Sequence, residues 1–139
     1  MPNPLKYQVY PNIKGIVTLN SVPVKNAIVN LTYRLNNKKG ASTYTTSDNG
    51  TFFFKEKNIY SLSGILPFED ILYQKITIIN NNAEYIAWEA MKDKQEEDLI
   101  LTKILSSLTC ELSNSETKHI INPESIFKNV IYGLARWTN

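Results

Sequence analysis

The chain has 139 residues, 42% hydrophobic and 20% charged, with a formal net charge of +2. That length supports one domain with a real core, and so small a charge gives no reason to expect a nucleic-acid partner. A lone cysteine, Cys110, excludes an intrachain disulfide framework and a cysteine-built metal site.

Taken in order, Met1-Pro2-Asn3-Pro4-Leu5-Lys6-Tyr7 lacks the apolar core of a signal peptide. No run approaches the roughly 18 apolar residues of a membrane span. The expectation is a cytoplasmic protein, or one exported without a signal peptide, and no membrane insertion. Residues 13–19 read as a strand, and Asn20-Ser21-Val22-Pro23 as a turn. Residues 27–35 form a second strand, with Ala27, Val29, Leu31, Tyr33 and Leu35 on one face. Residues 36–40 read as a polar loop. Residues 42–47 and 51–54 then read as a hairpin joined through Asp48-Asn49-Gly50, because Gly50 takes positive φ at little cost.

Residues 55–70 are the longest irregular stretch, broken by Gly64 and Pro67 yet carrying Tyr60, Ile65, Leu66 and Phe68. Such a loop either folds back over the core or binds something. Residues 71–79 and 83–90 make a second hairpin across Asn80-Asn81-Asn82, with Ala83, Tyr85 and Ala87 opposed to Ile86 and Trp88. A charged linker follows, with acids at Glu89, Asp93, Glu96, Glu97 and Asp98. Residues 99–105 fit a strand or a helix. Leu108, Cys110 and Leu112 alternate as a strand, Asn122-Pro123-Glu124 is a helix-start signal, and residues 130–137 alternate again. The total is an all-β sandwich of seven to eight antiparallel strands with at most one short helix, forming one domain over 1–139. Through Lys57 the chain carries eight Lys and Arg against two acids; from Asn58 onward, seven against eleven. The halves therefore differ in sign, which either reflects basic hairpins packed beside acidic ones within one sandwich or orients a charged partner.

Ile13-Lys14-Gly15-Ile16-Val17, Val22-Pro23-Val24-Lys25-Asn26-Ala27-Ile28-Val29 and Thr45-Thr46-Ser47-Asp48-Asn49-Gly50-Thr51-Phe52 resemble the carboxypeptidase-regulatory-like, transthyretin-type (prealbumin-like) domain. That resemblance implies a transthyretin-like core over 12–90 and an extension over 91–139. Further stretches resemble a small bacterial family of uncharacterised proteins built on that domain. They are Leu66-Pro67-Phe68-Glu69, Gln74-Lys75-Ile76-Thr77-Ile78, Glu84-Tyr85-Ile86-Ala87-Trp88, Cys110-Glu111-Leu112 and Tyr132-Gly133-Leu134-Ala135-Arg136-Trp137. This second resemblance implies bacteria that use the type VI secretion system, and it brings no established activity.

No motif carries catalysis. His119 is the single histidine and sits beside nothing like a nucleophile elbow. A transition-metal site needs several such ligands, and Glu96, Glu97 and Asp98 lack EF-hand spacing, so no metal or cofactor is expected. The hydrolase and dioxygenase relatives of transthyretin need histidines that this chain lacks. Trp88, Trp137 and eight tyrosines suit core packing better than a stacking platform. The expectation is a non-enzymatic protein-binding module, such as an immunity or effector-accessory protein that plugs a toxin or a secretion-spike component. A homodimer is compatible with the sequence. The expected contacts are Tyr60, Leu66, Phe68, Glu69 and Asp70 in the long loop, or Asp93, Glu96, Glu97 and Asp98 in the linker. The alternative is a carbohydrate- or cell-surface-binding sandwich.

Overall fold

Strand alternation sorts the apolar residues onto two facing sheets. The structure, a computed structural model, describes residues 5–35, 38–61, 72–92, 99–120 and 130–137. In chain order the elements are β1 (Leu5–Tyr10), β2 (Ile13–Leu19), β3 (Val22–Pro23), β4 (Ile28–Leu35) and β5 (Lys38–Thr45). Then come β6 (Thr51–Phe54), β7 (Lys57–Ser61), β8 (Leu72–Asn80), β9 (Ala83–Lys92) and α1 (Leu99–Leu105). Last are β10 (Leu108–Glu111), β11 (Thr117–Ile120), β12 (Val130–Gly133) and β13 (Ala135–Arg136). The protein is all-β with one short helix among the described residues. The strand segments outnumber the expected seven or eight: β1, β3, β7 and β11 lack a strong alternating apolar pattern, and residues 130–137 divide into β12 and β13.

One sheet runs β11-β12-β9-β8-β4-β5 and is antiparallel throughout. The other runs β13-β10-β2-β3, with β6 also on β2, and its β2–β10 pair is parallel. That pair departs from the antiparallel expectation. A parallel neighbour needs a long crossover, and here most of the chain lies between the two strands. β1 and β7 continue the β2–β6 ribbon past Pro11 and Asn12, where Asn12 Oδ1 accepts the Glu56 amide at 2.7 Å.

The core lies between the sheets. Val29, Leu31, Ile76, Ile78 and Trp88 meet Ile13, Val17, Phe52, Leu108 and Cys110, all buried. The inward face expected for residues 27–35 is the face the structure buries, with Tyr33 only partly covered. In α1, Leu101, Ile104 and Leu105 are buried at i, i+3, i+4 spacing, which resolves the strand-or-helix alternative as an amphipathic turn. Asn81 and Asn82 both take positive φ (50° and 65°) between β8 and β9, the geometry of a tight two-residue hairpin turn. The second expected hairpin is thus present.

The first expected hairpin is not. The turn through Asp48-Asn49-Gly50 forms, with the Gly50 amide on Ser47 O at 2.9 Å and Gly50 at φ 76°. The strands on either side part company: β5 pairs with β4, and β6 pairs with β2 in the other sheet. Thr46 enforces the separation. Its buried hydroxyl donates to Val24 O at 2.7 Å and accepts the Ala27 amide at 2.9 Å, holding that side of the turn on the six-stranded sheet. Gly50 O accepts the Val17 amide at 2.8 Å and ties the other side to β2. The corner is a sheet-to-sheet crossing. Residues 38–40, expected in a loop, are instead the first residues of β5, an edge strand in which lysines are at home.

Alternation also fails at Ala87 and Trp88, which were expected on opposite faces and are both buried. The β8–β9 register shifts between Ile76 and Thr77, so Ala87 is an extra residue in a bulge. The helix-start signal at Asn122-Pro123-Glu124 lies outside the described residues.

Candidate functional site on the outer face of the six-stranded sheet

Reactive side chains elsewhere in the described structure have structural tasks. Cys110 is fully buried, which pushes its thiol up to about 12. Such a thiol stays protonated and inert. His119 stands edge-on to Trp137 at 5.0 Å, and its basicity is lowered first by burial and then by the Arg136 charge. Trp137 in turn meets buried Trp88 at 6.0 Å.

Glu111 has the most elaborate polar role. Its carboxylate accepts the Ser113 hydroxyl (2.7 Å) and amide (2.9 Å), the Ser21 amide (2.7 Å), the Asn20 amide (3.0 Å) and the Thr18 hydroxyl (3.1 Å). Asn20 and Ser21 both have positive φ, which is uncommon for serine, and Glu111 holds them there from some 90 residues away. These donors, the Ser113 hydroxyl first, lower the Glu111 carboxyl to about 2. Its stabilisation is therefore complete above the ordinary carboxylate value of 4.5 and fades as pH falls from there toward 2. Glu111→Gln is expected to lose about 1 kcal/mol at neutral pH, solvent screening having limited the gain. In urea titrations the gap between the two proteins should shrink as pH falls from 5 to about 2.5. A gap that stays constant over that range contradicts this role.

The outer face of the six-stranded sheet is different in kind. Strand register places Tyr73 beside Met91, and Lys75 beside Glu89, Tyr132 and Lys118 in successive strands. On the other side of β8, Arg34 lies beside Tyr73 and Lys39 beside Arg34. Two concavities share Tyr73. One, of about 370 Å³, is lined by Tyr73, Glu89, Met91, Lys118, Val130 and Tyr132. The other, of about 680 Å³, lies over Thr32, Arg34, Lys39, Gly40, Ala41 and Tyr73. Burial and then the Glu89 hydrogen bond push the Tyr73 phenol up to about 12. Tyr132 is raised too, by burial first and then by Glu116, whose Oε2 accepts its hydroxyl at 3.3 Å. Both phenols therefore stay protonated, each with its single O–H engaged by a neighbouring carboxylate. Lys75 reaches Glu89 at 3.9 Å, and the Arg34 guanidinium lies 5.9 Å from the Tyr73 ring centre. Met91 is 46% exposed in the middle of this surface. Tyrosine, methionine and arginine with a charged margin are the composition of a protein-docking surface. Among the described residues, no group of three His, Cys, Asp or Glu is placed to hold a metal ion, and no helix is long and apolar enough to cross a membrane.

The contacts expected from sequence are not brought to this face by anything described. Tyr60 lies on β7 with its backbone opposite Lys6, and its side chain lies outside the described residues. Leu66, Phe68, Glu69, Asp70, Asp93, Glu96, Glu97 and Asp98 lie outside them entirely. Sequence reasoning passed over Arg34, Lys39, Tyr73, Met91 and Tyr132. Each occupies the polar parity of its strand, but only the register shows that they share one surface.

No curated protein and no solved structure matches this chain. A family model described as "Domain of unknown function (DUF6795)" matches residues 13–115, from the first residue of β2 to just short of β11. The match spans well over half of the sequence, and the chain belongs to that family.

Proposed function

We propose that this protein is a non-enzymatic binding module that docks a partner protein on the outer face of its six-stranded sheet and acts by steric cover. The observation that carries this reading is the array of exposed Met91 and half-buried Tyr73 and Tyr132 around Glu89, flanked by Arg34, Lys75 and Lys118. A sheet face is stiff, so docking costs little ordering entropy, and the aromatic and thioether groups supply contact area. In the setting implied by the resemblance to the small bacterial family, the partner is a toxin effector or a secretion-spike component, and the module is an immunity or accessory protein. The carbohydrate-binding alternative would be favoured by exposed coplanar aromatics and weakened by burial of Trp88 and Trp137. Trp88 is fully buried and Trp137 packs against it, so neither indole supports that alternative.

Affinity capture from the native host tests the reading with two variants. Met91→Glu puts an unpaired charge in the docking face, whereas Val22→Glu puts one on β3 in the other sheet, at a residue 62% exposed. A partner that Met91→Glu loses and Val22→Glu keeps is the expected result. No specific partner, or equal capture by both variants, contradicts it.

A further inference from the structure

We infer that the free edge of β5 accepts an extended acidic segment of a partner protein as an added strand, its carboxylates received by Arg34 and Lys39. This rests on the binding-module reading and specifies the partner's chemistry. β5 ends the six-stranded sheet, and among the described residues its ladder partner is β4 alone, over eight consecutive pairs without a register shift. The Thr46 amide bonds Ala27 O at 2.9 Å, which fixes the ladder's parity. Tyr44, Ser42, Gly40 and Lys38 therefore turn their backbone groups toward β4. Those of Lys39, Ala41, Thr43 and Thr45 turn outward.

Natural edges are usually blunted by proline, a bulge or charge along their length. β5 has no proline and no bulge, and Gly40-Ala41-Ser42-Thr43-Tyr44-Thr45 is uncharged. Its charge is gathered at one end, where Lys39 lies directly across from Arg34. Like charges opposite one another on a sheet repel. Among the described residues neither meets a carboxylate, and β4, β5 and β8 contain no acid at all.

The space for a carboxylate is already present. Ala41 adds little bulk on the face that carries Arg34 and Lys39, where the concavity of about 680 Å³ lies over those two residues and Tyr73. In an added strand, the residues opposite Lys39 and Ala41 project on the same face as those two side chains. An Asp or Glu at either place enters that concavity and relieves the Arg34–Lys39 repulsion. Backbone pairing supplies affinity, and the paired cations supply the preference for acid. A second copy of this chain is a poorer occupant, because its β5 brings two more lysines and no acid.

The probe is a fluorescein-labelled octapeptide of alternating valine and threonine with two glutamates on one face, measured by fluorescence polarisation. Its controls carry lysine in place of glutamate, or a central proline. The glutamate peptide should bind at least about tenfold more tightly than either control. Thr43→Pro removes an outward amide without touching the β4 ladder, and Lys39→Glu reverses one cation; each should weaken binding at least about tenfold. Circular dichroism should be unchanged in both variants. Equal binding of the glutamate and lysine peptides overturns the inference. So does unchanged binding by folded Thr43→Pro, or a dimer of the unmodified protein that Thr43→Pro dissolves. A host partner still captured by Thr43→Pro but lost by Met91→Glu refutes the edge while leaving the docking face intact.

Discussion

Gly133→Ala should be the most damaging conservative substitution in the described chain, costing about 3–5 kcal/mol and leaving little folded protein at 37 °C. Gly133 has φ 147°, within the region that side chains avoid, and a Cβ there would collide with the carbonyl of Ala87. The cost combines backbone strain of about 1–3 kcal/mol with a collision against backbone atoms that cannot swing aside. The position matters because Gly133 ends β12 in the six-stranded sheet, and two residues later Ala135 begins β13 in the other. Close approach to the Ala87 bulge lets the Leu134 amide reach Ile86 O at 3.0 Å and seats Leu134 in the core. A bulge on one strand and a glycine on another thus make one joint between the layers. Urea denaturation of Gly133→Ala measures it. A loss below about 1 kcal/mol, the ordinary helix- or strand-level penalty, would show that the joint relaxes freely.

Trp88→Ala should follow closely, at about 3–5 kcal/mol, because it empties the largest fully buried side chain in the core. It also removes the neighbour against which Trp137 packs, and His119 packs on Trp137 in turn. Trp88→Phe should behave quite differently. The indole Nε1 is buried without a hydrogen-bond partner among the described residues, so phenylalanine removes an unsatisfied donor as well as some volume. The two effects oppose, and a net cost of about 1 kcal/mol or less is expected. Thermal melts of both variants against the unmodified protein distinguish the two terms. If Trp88→Phe costs as much as Trp88→Ala, removal of the donor brings no relief and the opposing effects argued here are absent.

Much of the fold was legible where a local signal and the tertiary structure agree. Val29, Leu31 and Leu35 alternate, and they are buried on one side of β4. The Asn81-Asn82 turn has the chemistry of a hairpin, and β8 and β9 pair along nearly their whole length. Legibility ended where local and distant forces diverge. Asp48-Asn49-Gly50 makes a tight turn from its own sequence, but the destinations of its two strands are decided by Thr46 and Gly50 O, which bind segments some 20 to 30 residues away. Lys38, Lys39 and Gly40 look like a loop because they are polar and flexible, and those properties also suit an edge strand. Ala87 and Trp88 break the period of two because a bulge counts one residue twice.

The candidate site was less legible than the fold. Tyr73, Met91, Glu89 and Tyr132 belong to three strands whose order in the sheet, β12-β9-β8, is not written in any one of them. Arg34 and Lys39 reveal themselves as a like-charged pair only through the β4–β5 register. Glu111 carries no local mark of its task, because the turn it holds lies some 90 residues back in the chain. The basic first half supplies the Arg34 and Lys39 end of the sheet, although the acidic residues expected to oppose it include several outside the described residues.

The docking face itself is tested most directly by photo-crosslinking in the native host, with a benzophenone side chain introduced in place of Met91 and, separately, in place of Val22. A discrete protein adduct is expected from the Met91 position and none from the Val22 position. Adducts from both positions alike, or from neither, would contradict that expectation.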